Sequence, residues 1–430
     1  MTNTVFWFRR DLRLTDNTAL FEALNKKSNV LPIFIFDDNI LGELPMDDPR
    51  VHFIYRTLQS LNHQLLQYNS SLLILKGNPQ EVWNQLIQRF KIDSVFMNKD
   101  YEPYARERDS TIGKLLLKNN IRLFTFKDQV IFEESEVMKA NGTPYTVFTP
   151  YKNKWLQAFS PPLLQPEINY KNFHQTKFPF PPLKDLHLAV SSIVVKDYRQ
   201  NLIDDYEKNR NYPGLDSTSY LGPHLRFGTV SIRQVIAQVS ESNQAFLNEL
   251  IWREFFQQIL FHFSHVVSNN FRAKYDRITW LNNEQDFKAW CAGNTGYPLV
   301  DAGMRQLNKT GYMHNRVRMV VASFLCKHLL IDWRFGEAYF AQKLLDYELA
   351  SNNGNWQWAA GTGCDAAPYF RVFNPTTQLK KFDPDLLYIK KWVPEFSSSK
   401  YAPPIVEHKF ARERAIKTYK EGILQYDLKQ

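Results

Sequence analysis

Along the first 128 residues, short apolar bursts alternate with amphipathic stretches. TVFWF (4–8), VLPIFIF (30–36), SLLILK (71–76), SVFM (94–97) and RLFTF (122–126) have the length and content of strands. Between them the period changes. Ile54, Leu58, Leu61 and Leu65 recur at helical spacing after Asp48-Pro49, and Asn78-Pro79-x-Glu81 has the form of a capped helix entry. This alternation predicts a Rossmann-like, mainly parallel α/β domain over residues 1–128. The first strand runs into FRRDLRLTDN with no glycine fingerprint, which argues against a dinucleotide at that turn. Arg9, Arg10, Asp11 and Arg13 are expected there to tie the sheet end to another domain.

Periodicity is lost over residues 129–187, where Pro144, Pro150, Pro161, Pro162, Pro166, Pro179, Pro181 and Pro182 gather. The stretch reads as a long interdomain connector wrapped on the surface. Beyond it strand signals stop, and residues 188–430 predict an all-helical domain. Its patterns are NQAFLNELIWREFFQQILF, EQDFKAWCAG, VDAGMRQLN, HNRVRMVVASFLCKHLL and GEAYFAQKLLDYEL. Met313, Val317, Val320, Val321, Phe324, Leu325 and Leu329 mark the buried face of one long helix, with Asn315, Arg318 and Met319 on its flank. Asp346, Glu348, Asn352, Asn353 and Trp356-Gln357-Trp358 follow. A buried polar group without a partner costs about 1–3 kcal/mol. These side chains therefore either satisfy one another or surround a polar, heterocyclic ligand.

Charge narrows the partners. With 53 Lys and Arg against 44 Asp and Glu the formal charge is +9, a balance that favours nucleic acid. Aromatic residues make up 15%, which suits stacking surfaces and a bulky core alike. Cys291, Cys326 and Cys364 form no CxxC pair and no metal spacing, so reduced thiols, a cytoplasmic setting and no metal are expected. The N-terminal apolar run meets charges at once, unlike a signal peptide. No apolar run reaches the ~18 residues of a membrane span.

The stretches TGYPLVDAGMRQLNKTGYMHNRVRM (295–319) and NNGNWQWAAGTGCDAAPYFRVFNP (352–375), with WFRRDLRLTDN near the start, resemble the DNA photolyase/cryptochrome family. Within it they are most similar to class I cyclobutane-pyrimidine-dimer photolyases. The likeness is dense from Tyr206 to His408 and covers most of the chain. It implies an N-terminal antenna domain and a C-terminal helical domain that binds FAD. It also implies a monomeric enzyme that splits cyclobutane pyrimidine dimers in UV-damaged DNA. There the excited, reduced flavin lends an electron to the dimer and recovers it, with no net redox change.

The resemblance also assigns residues. Tyr206 and the segment Thr218, Ser219, Tyr220, Leu221 and Gly222 would hold the FAD pyrophosphate, although an ST-rich turn capping a helix reads the same locally. Gly222 stands where a serine is common. Arg253 would lie on the flavin side, and Asn315, Arg318, Asp346, Glu348 and Asn352 would ring the isoalloxazine. Arg318 would pair with Asp346, and Asn352 would face flavin N5. Glu348 replaces the usual Asp. Asn352 separates the chain from plant and insect cryptochromes, where Asp and Cys are expected.

Arg210, Glu249, Trp252, Asn315, Arg316, Met319 and Trp358 would meet DNA or the lesion. Taken locally, Glu249 and Arg253 make an ordinary i,i+4 pair and Met319 a core residue. A carboxyl beside an indole in a dry pocket predicts a raised pKa. A protonated Glu249 could then donate to a thymine carbonyl while Trp252 stacks on a flipped base. Trp280, Trp333 and Trp356 would relay an electron from the surface to the flavin. Arg272, Lys274, Lys380 and Lys381 are candidate phosphate contacts, for which steep salt dependence is expected.

Tyr104-Ala105 stands where folate-binding members carry Asn-Glu. That argues against methenyltetrahydrofolate as a second, antenna chromophore and leaves a deazaflavin, another flavin or none. Photolyases of the (6-4) type would show a His pair where this chain has only His314. A cryptochrome-type photoreceptor would carry a long C-terminal extension beyond the segment matching PIVEHKFARER.

Overall fold

The computed structural model describes residues 2–161, 163–239 and 243–428. Met1, Pro162, residues 240–242 and 429–430 fall within the three expected segments and lie outside the described residues. All five apolar bursts are strands: β1 (Asn3–Phe8), β2 (Val30–Asp37), β3 (Leu73–Gly77), β4 (Ile92–Asn98) and β5 (Arg122–Phe126). They form one parallel sheet in the order β3-β2-β1-β4-β5, with Val5 of β1 level with Leu31 of β2 and Val95 of β4. Every residue of β1 and β2 is buried, which is why these strands read as unbroken apolar runs rather than as an alternation. The crossover helices begin where the capping signals lie. Asp48 accepts from the Arg50 N–H (2.9 Å) ahead of Pro49–Leu66, and Asn78 from the Gln80 N–H (3.0 Å) ahead of Pro79–Arg89.

The chain divides into two compact units, Met1–Glu136 with Phe159–Tyr198 and Tyr220–Ser240, and Val137–Ala158 with Arg199–Ser219 and Glu241–Gln430. Residues 129–187 are thus shared between the two. In the first unit the arginines after β1 act as ties. Arg10 Nε donates to Arg226 O (3.2 Å), and Arg13 donates to Gly228 O (3.1 Å) and Asp128 (2.6 Å). Arg233 meets the same Asp128 (2.8 Å) and Asp16 (3.0 Å). The sheet end is therefore tied to the helices Leu221–Phe227 and Ile232–Gln238, which pack as part of this unit.

The second unit is helical, and among its described residues there is no regular strand. Two expectations need correction. The connector was expected to lack periodic structure, yet Phe148–Ala158 is a helix whose buried residues are Phe148, Tyr151 and Trp155. Pro150 hid it, although a proline in the first turn loses no helical hydrogen bond. The long helix expected over Met313–Leu329 runs regularly only over Asn315–Ser323, where His314 caps it. It then widens into a π-helical turn, Phe324–His328, closed by Leu329 N–H donating to Phe324 O (3.1 Å). The apolar face is nevertheless continuous, because all seven of its expected core residues are buried.

Two glycines let helices meet closely. A Cβ on Gly336 would lie 2.1 Å from the Trp356 ring, and one on Gly354 would lie 2.2 Å from the Phe256 ring. Among the described residues no helix is long and apolar enough to cross a membrane.

Candidate functional site

Three helices of the second unit bring the polar side chains together. The first, Gln244–His262, is buried on most of its circumference, so its charged residues need partners. Arg253 donates to Glu348 Oε1 (3.0 Å), Gln257 Nε2 donates to the same oxygen (3.1 Å), and Ser351 Oγ donates to Oε2 (3.0 Å). Glu249 pairs with Arg210 (2.8 Å). The two charges that could have formed a local i,i+4 pair thus each take a partner distant in sequence. Burial raises the Glu249 pKa, and Arg210 offsets only part of that shift.

The helix Asn315–Ser323 supplies Arg318. Its guanidinium grips Asp346 with two hydrogen bonds (3.1 and 2.8 Å), while its Nε donates to Met313 O (2.8 Å). Burial opposes the cation, but Asp346 outweighs it and the Arg318 pKa is raised. Arg316 donates to Asn211 Oδ1 (3.2 and 2.6 Å) and lies over the Phe382 ring (4.5 Å), with Met319 Sδ beside it (3.6 Å). Asn315 is exposed at the start of this helix. His314 accepts the Arg316 N–H at Nδ1 (3.2 Å), and its pKa falls to about 4 through burial beside Arg318 and Arg316.

The third helix, Leu349–Ala360, carries Asn352. Its Nδ2 donates to Glu337 Oε1 (2.8 Å) and to Glu337 O (3.1 Å). Two acceptors fix the amide orientation, so the side chain offers its Oδ1 acceptor to anything else. Burial raises the pKa of Glu337, and the Asn352 bond lowers it.

Phe256 joins this helix to Trp252, because it packs on Gly354 and leans on the Trp252 ring (5.3 Å). Trp252 itself is half-buried and stacks on Phe148 (3.7 Å).

The remaining expected residues are more dispersed. Tyr206 lies under the Arg210 guanidinium (5.0 Å) and packs edge-on against Phe246. Thr218 O and Ser219 O accept from Arg199, on an irregular segment. Tyr220, Leu221 and Gly222 open the helix Leu221–Phe227 in the first unit, where Lys196 Nζ donates to the Tyr220 hydroxyl (2.7 Å). Trp356 packs edge-on to Phe340 (5.0 Å), Trp333 Nε1 donates to Asn270 (2.8 Å), and half-buried Trp280 meets Tyr419 edge-on (5.8 Å). Trp358 is partly buried against the same core as Trp356. Arg272 is exposed but donates to Cys364 O (2.9 Å), Lys274 is half-buried, and Lys380 and Lys381 are exposed on Pro375–Phe382.

Sequence reasoning missed Glu337, Asn211, Gln257, Ser351 and Phe148. All but Ser351, which bonds the Glu348 cap of its own helix, act through a partner in another element that no local spacing marks.

This arrangement holds paired charges, an oriented amide acceptor and a half-exposed indole around one helical core. Comparison with known proteins gives it a family. Residues 246–400 match the FAD binding domain of DNA photolyase, and residues 4–167 match DNA photolyase. A deoxyribodipyrimidine photo-lyase from Synechococcus sp. is 38% identical over 91% of this chain and 87% of its own length. The Escherichia coli protein of the same name is 37% identical over 97% of this chain and 98% of its own. The chain belongs to the DNA photolyase family.

Solved structures of that family agree. A bacterial class III photolyase from Agrobacterium tumefaciens superposes with a TM-score of 0.87 at 33% identity, covering 98% of both chains. An archaeal photolyase from Sulfolobus tokodaii, solved with two FAD molecules, superposes at 0.88 and 36% identity, covering 98% of this chain and all of the other. The chain is accordingly a flavoprotein enzyme of a light-dependent DNA-repair family, with a parallel α/β domain and a helical FAD-binding domain.

Proposed function

We propose that this photolyase-family enzyme splits cyclobutane pyrimidine dimers in UV-damaged DNA. The observation that carries the reading is a group of three pairs within the helical unit, Asn352–Glu337, Arg318–Asp346 and Glu348–Arg253, of which Arg253 shares its helix with Glu249 and Trp252. The residues fit a flavin. An amide locked with Oδ1 outward suits the N–H of a reduced ring, and a guanidinium held by a carboxylate presents further donors without carrying net charge into a buried site. Asn315, Arg318, Asp346, Glu348 and Asn352 would hold the ring system, with Arg253 behind Glu348. Tyr206, Thr218 and Ser219 would serve the pyrophosphate. Bound there in its reduced form, FAD would supply, once photoexcited, the electron that opens the dimer and would recover it afterwards.

The protein's own part is positional and electrostatic. Arg318 and Asp346 neutralise each other, so the pair adds no net charge beside the ring. Asn352 cannot turn, because Glu337 occupies both of its amide hydrogens. Burial raises the Glu249 pKa against the pull of Arg210; in its acid form Glu249 would donate to a pyrimidine carbonyl, and Trp252 would offer a flat apolar surface to the flipped base. Arg316, Met319 and Trp358 would line the lesion pocket. Trp356, Trp333 and Trp280 would return the flavin to its reduced form.

DNA would be met by the exposed cations Arg272, Lys380 and Lys381, with Lys274. His314 is committed to capping its helix and is neutral, which favours the dimer over the (6-4) product. Motif resemblance supports class I, the class III description being that of the Agrobacterium protein. Any second chromophore is proposed not to be methenyltetrahydrofolate. Tyr104, at the position of the folate-binding motif, is bonded to Asp37 (2.6 Å) and Asn39 (3.0 Å) instead.

The test is a dark-binding competition at fixed salt among three oligo-dT probes. They carry one cyclobutane dimer, one (6-4) product, or no damage. The dimer is expected to win by at least a hundredfold over undamaged DNA, about the scale of a flipped base with its stacking and hydrogen bonds. Preference for the (6-4) probe, or equal binding of all three, would contradict the proposal.

A further inference from the structure

Trp252 has an unusual support. The Phe148 ring lies parallel to it, with the centroids 3.7 Å apart and the planes 7° from coplanar. Phe255 and Phe256 approach the same indole at larger tilts, at 5.6 and 5.3 Å. Contact at that separation excludes water from one face of the indole. Trp252 is nevertheless half-buried rather than buried, so what remains exposed lies away from Phe148, on the opposite face or the edge.

Phe148 is fixed in turn from several directions. It is only 7% exposed, and its backbone N–H donates to Asp365 Oδ2 (3.0 Å). Its helix, Phe148–Ala158, is pinned to the helix that carries Trp252. Trp155 Nε1 donates to the buried Glu254 carboxylate (2.6 Å), two residues beyond Trp252, and the Tyr151 hydroxyl reaches the same oxygen (3.5 Å). Burial of a carboxylate is costly unless it is bonded, and these two donors contribute to satisfying Glu254.

We infer that Phe148 is a positioning residue for lesion recognition: it seals one face of Trp252 and holds the indole plane, so that a single face is presented to a flipped pyrimidine. The inference rests on the reading of Trp252 as the stacking surface. An unsupported indole on a helix rotates about its side-chain torsions and must be ordered when the base arrives. A pre-stacked one has already met that entropic cost. The helix that sequence reading took for connector thereby becomes part of the recognition machinery.

The experiment uses the full chain with FAD bound and measures dark binding of dimer-containing and undamaged oligo-dT by fluorescence anisotropy. Phe148→Leu keeps an apolar side chain without a flat face and is expected to weaken dimer binding about tenfold, within the range of one base–aromatic stack. Binding of undamaged DNA, FAD content and repair yield at saturating lesion are expected to stay unchanged, so that KM moves without kcat. Phe148→Met is expected to show the same loss, and Phe148→Tyr to restore wild-type affinity.

Wild-type dimer affinity in either Phe148→Leu or Phe148→Met, while Trp252→Ala binds weakly, would overturn the inference and leave Trp252 as the stacking surface. Equal losses on damaged and undamaged DNA would also overturn it, since they report general damage to the fold. Wild-type dimer affinity in Trp252→Ala would remove the reading beneath it.

Discussion

Replacing Asp128 with alanine is expected to destabilise the first unit by about 3–5 kcal/mol, the cost of leaving buried cations without their partner. Asp128 is 2% exposed and receives Arg13 (2.6 Å), Arg233 (2.8 Å) and both the N–H and hydroxyl of Thr18 (3.1 Å each). Its loss takes a carboxylate from two guanidiniums at once: Arg233 keeps the Asp16 carboxylate, while Arg13 keeps the carbonyls of Asp16 and Gly228. Burial alone would raise the Asp128 pKa, but the two arginines outweigh it and the pKa is lowered. A carboxylate depressed in this way adds stability above its unfolded pKa, and that stability is lost as pH falls through the folded value. Chemical denaturation followed across an acid series should therefore show a steep acid limb in the wild type that Asp128→Ala lacks. Equal stability of the two proteins at neutral pH would contradict this account of the cluster.

Glu249 is the second position where a large effect is expected, and here the readout is repair. Glu249→Leu is expected to lower repair per bound lesion by about 10- to 100-fold, matching the roughly 1.5–3 kcal/mol of a hydrogen bond to a group gaining charge. Glu249→Gln keeps a neutral donor and is expected to retain most of the activity. The pH profile discriminates further. Burial favours the acid form of Glu249, so that form persists to higher pH than for an exposed glutamate. Repair should fall as pH rises through this value, and the falling limb should be missing in Glu249→Gln. A Gln variant as impaired as the Leu variant would mean that the carboxylate, not the acid, is the working form.

What was legible in the sequence divides along a physical line. Strands β1, β2 and β4 could be read because strands buried on both faces write their signal into consecutive residues, while the less buried edge strands β3 and β5 were marked by their short apolar runs. The face containing Met313, Val317 and Val321 could be read because helical spacing is local. Its π-turn could not, since a single wider turn does not change which residues are apolar. The helix Phe148–Ala158 was hidden by Pro150, whose usual meaning is a break. Local spacing also offered Glu249 and Arg253 to each other, whereas their partners Arg210 and Glu348 lie in other elements. Family resemblance, unlike spacing, singled out Arg318 with Asp346, and the structure joins them directly. Glu337 and Phe148 had no signal of either kind, since each acts on another side chain across the fold.

The central claim is that light drives this enzyme to restore pyrimidines from cyclobutane dimers. The direct measurement is to mix photoreduced protein with UV-irradiated oligo-dT and to follow recovery of thymine absorbance under blue light against a dark control. The account predicts recovery in the light, none in the dark, and a strong reduction in Trp252→Ala at limiting substrate. A protein that retains FAD and binds the irradiated DNA, yet shows no recovery in the light, would contradict it.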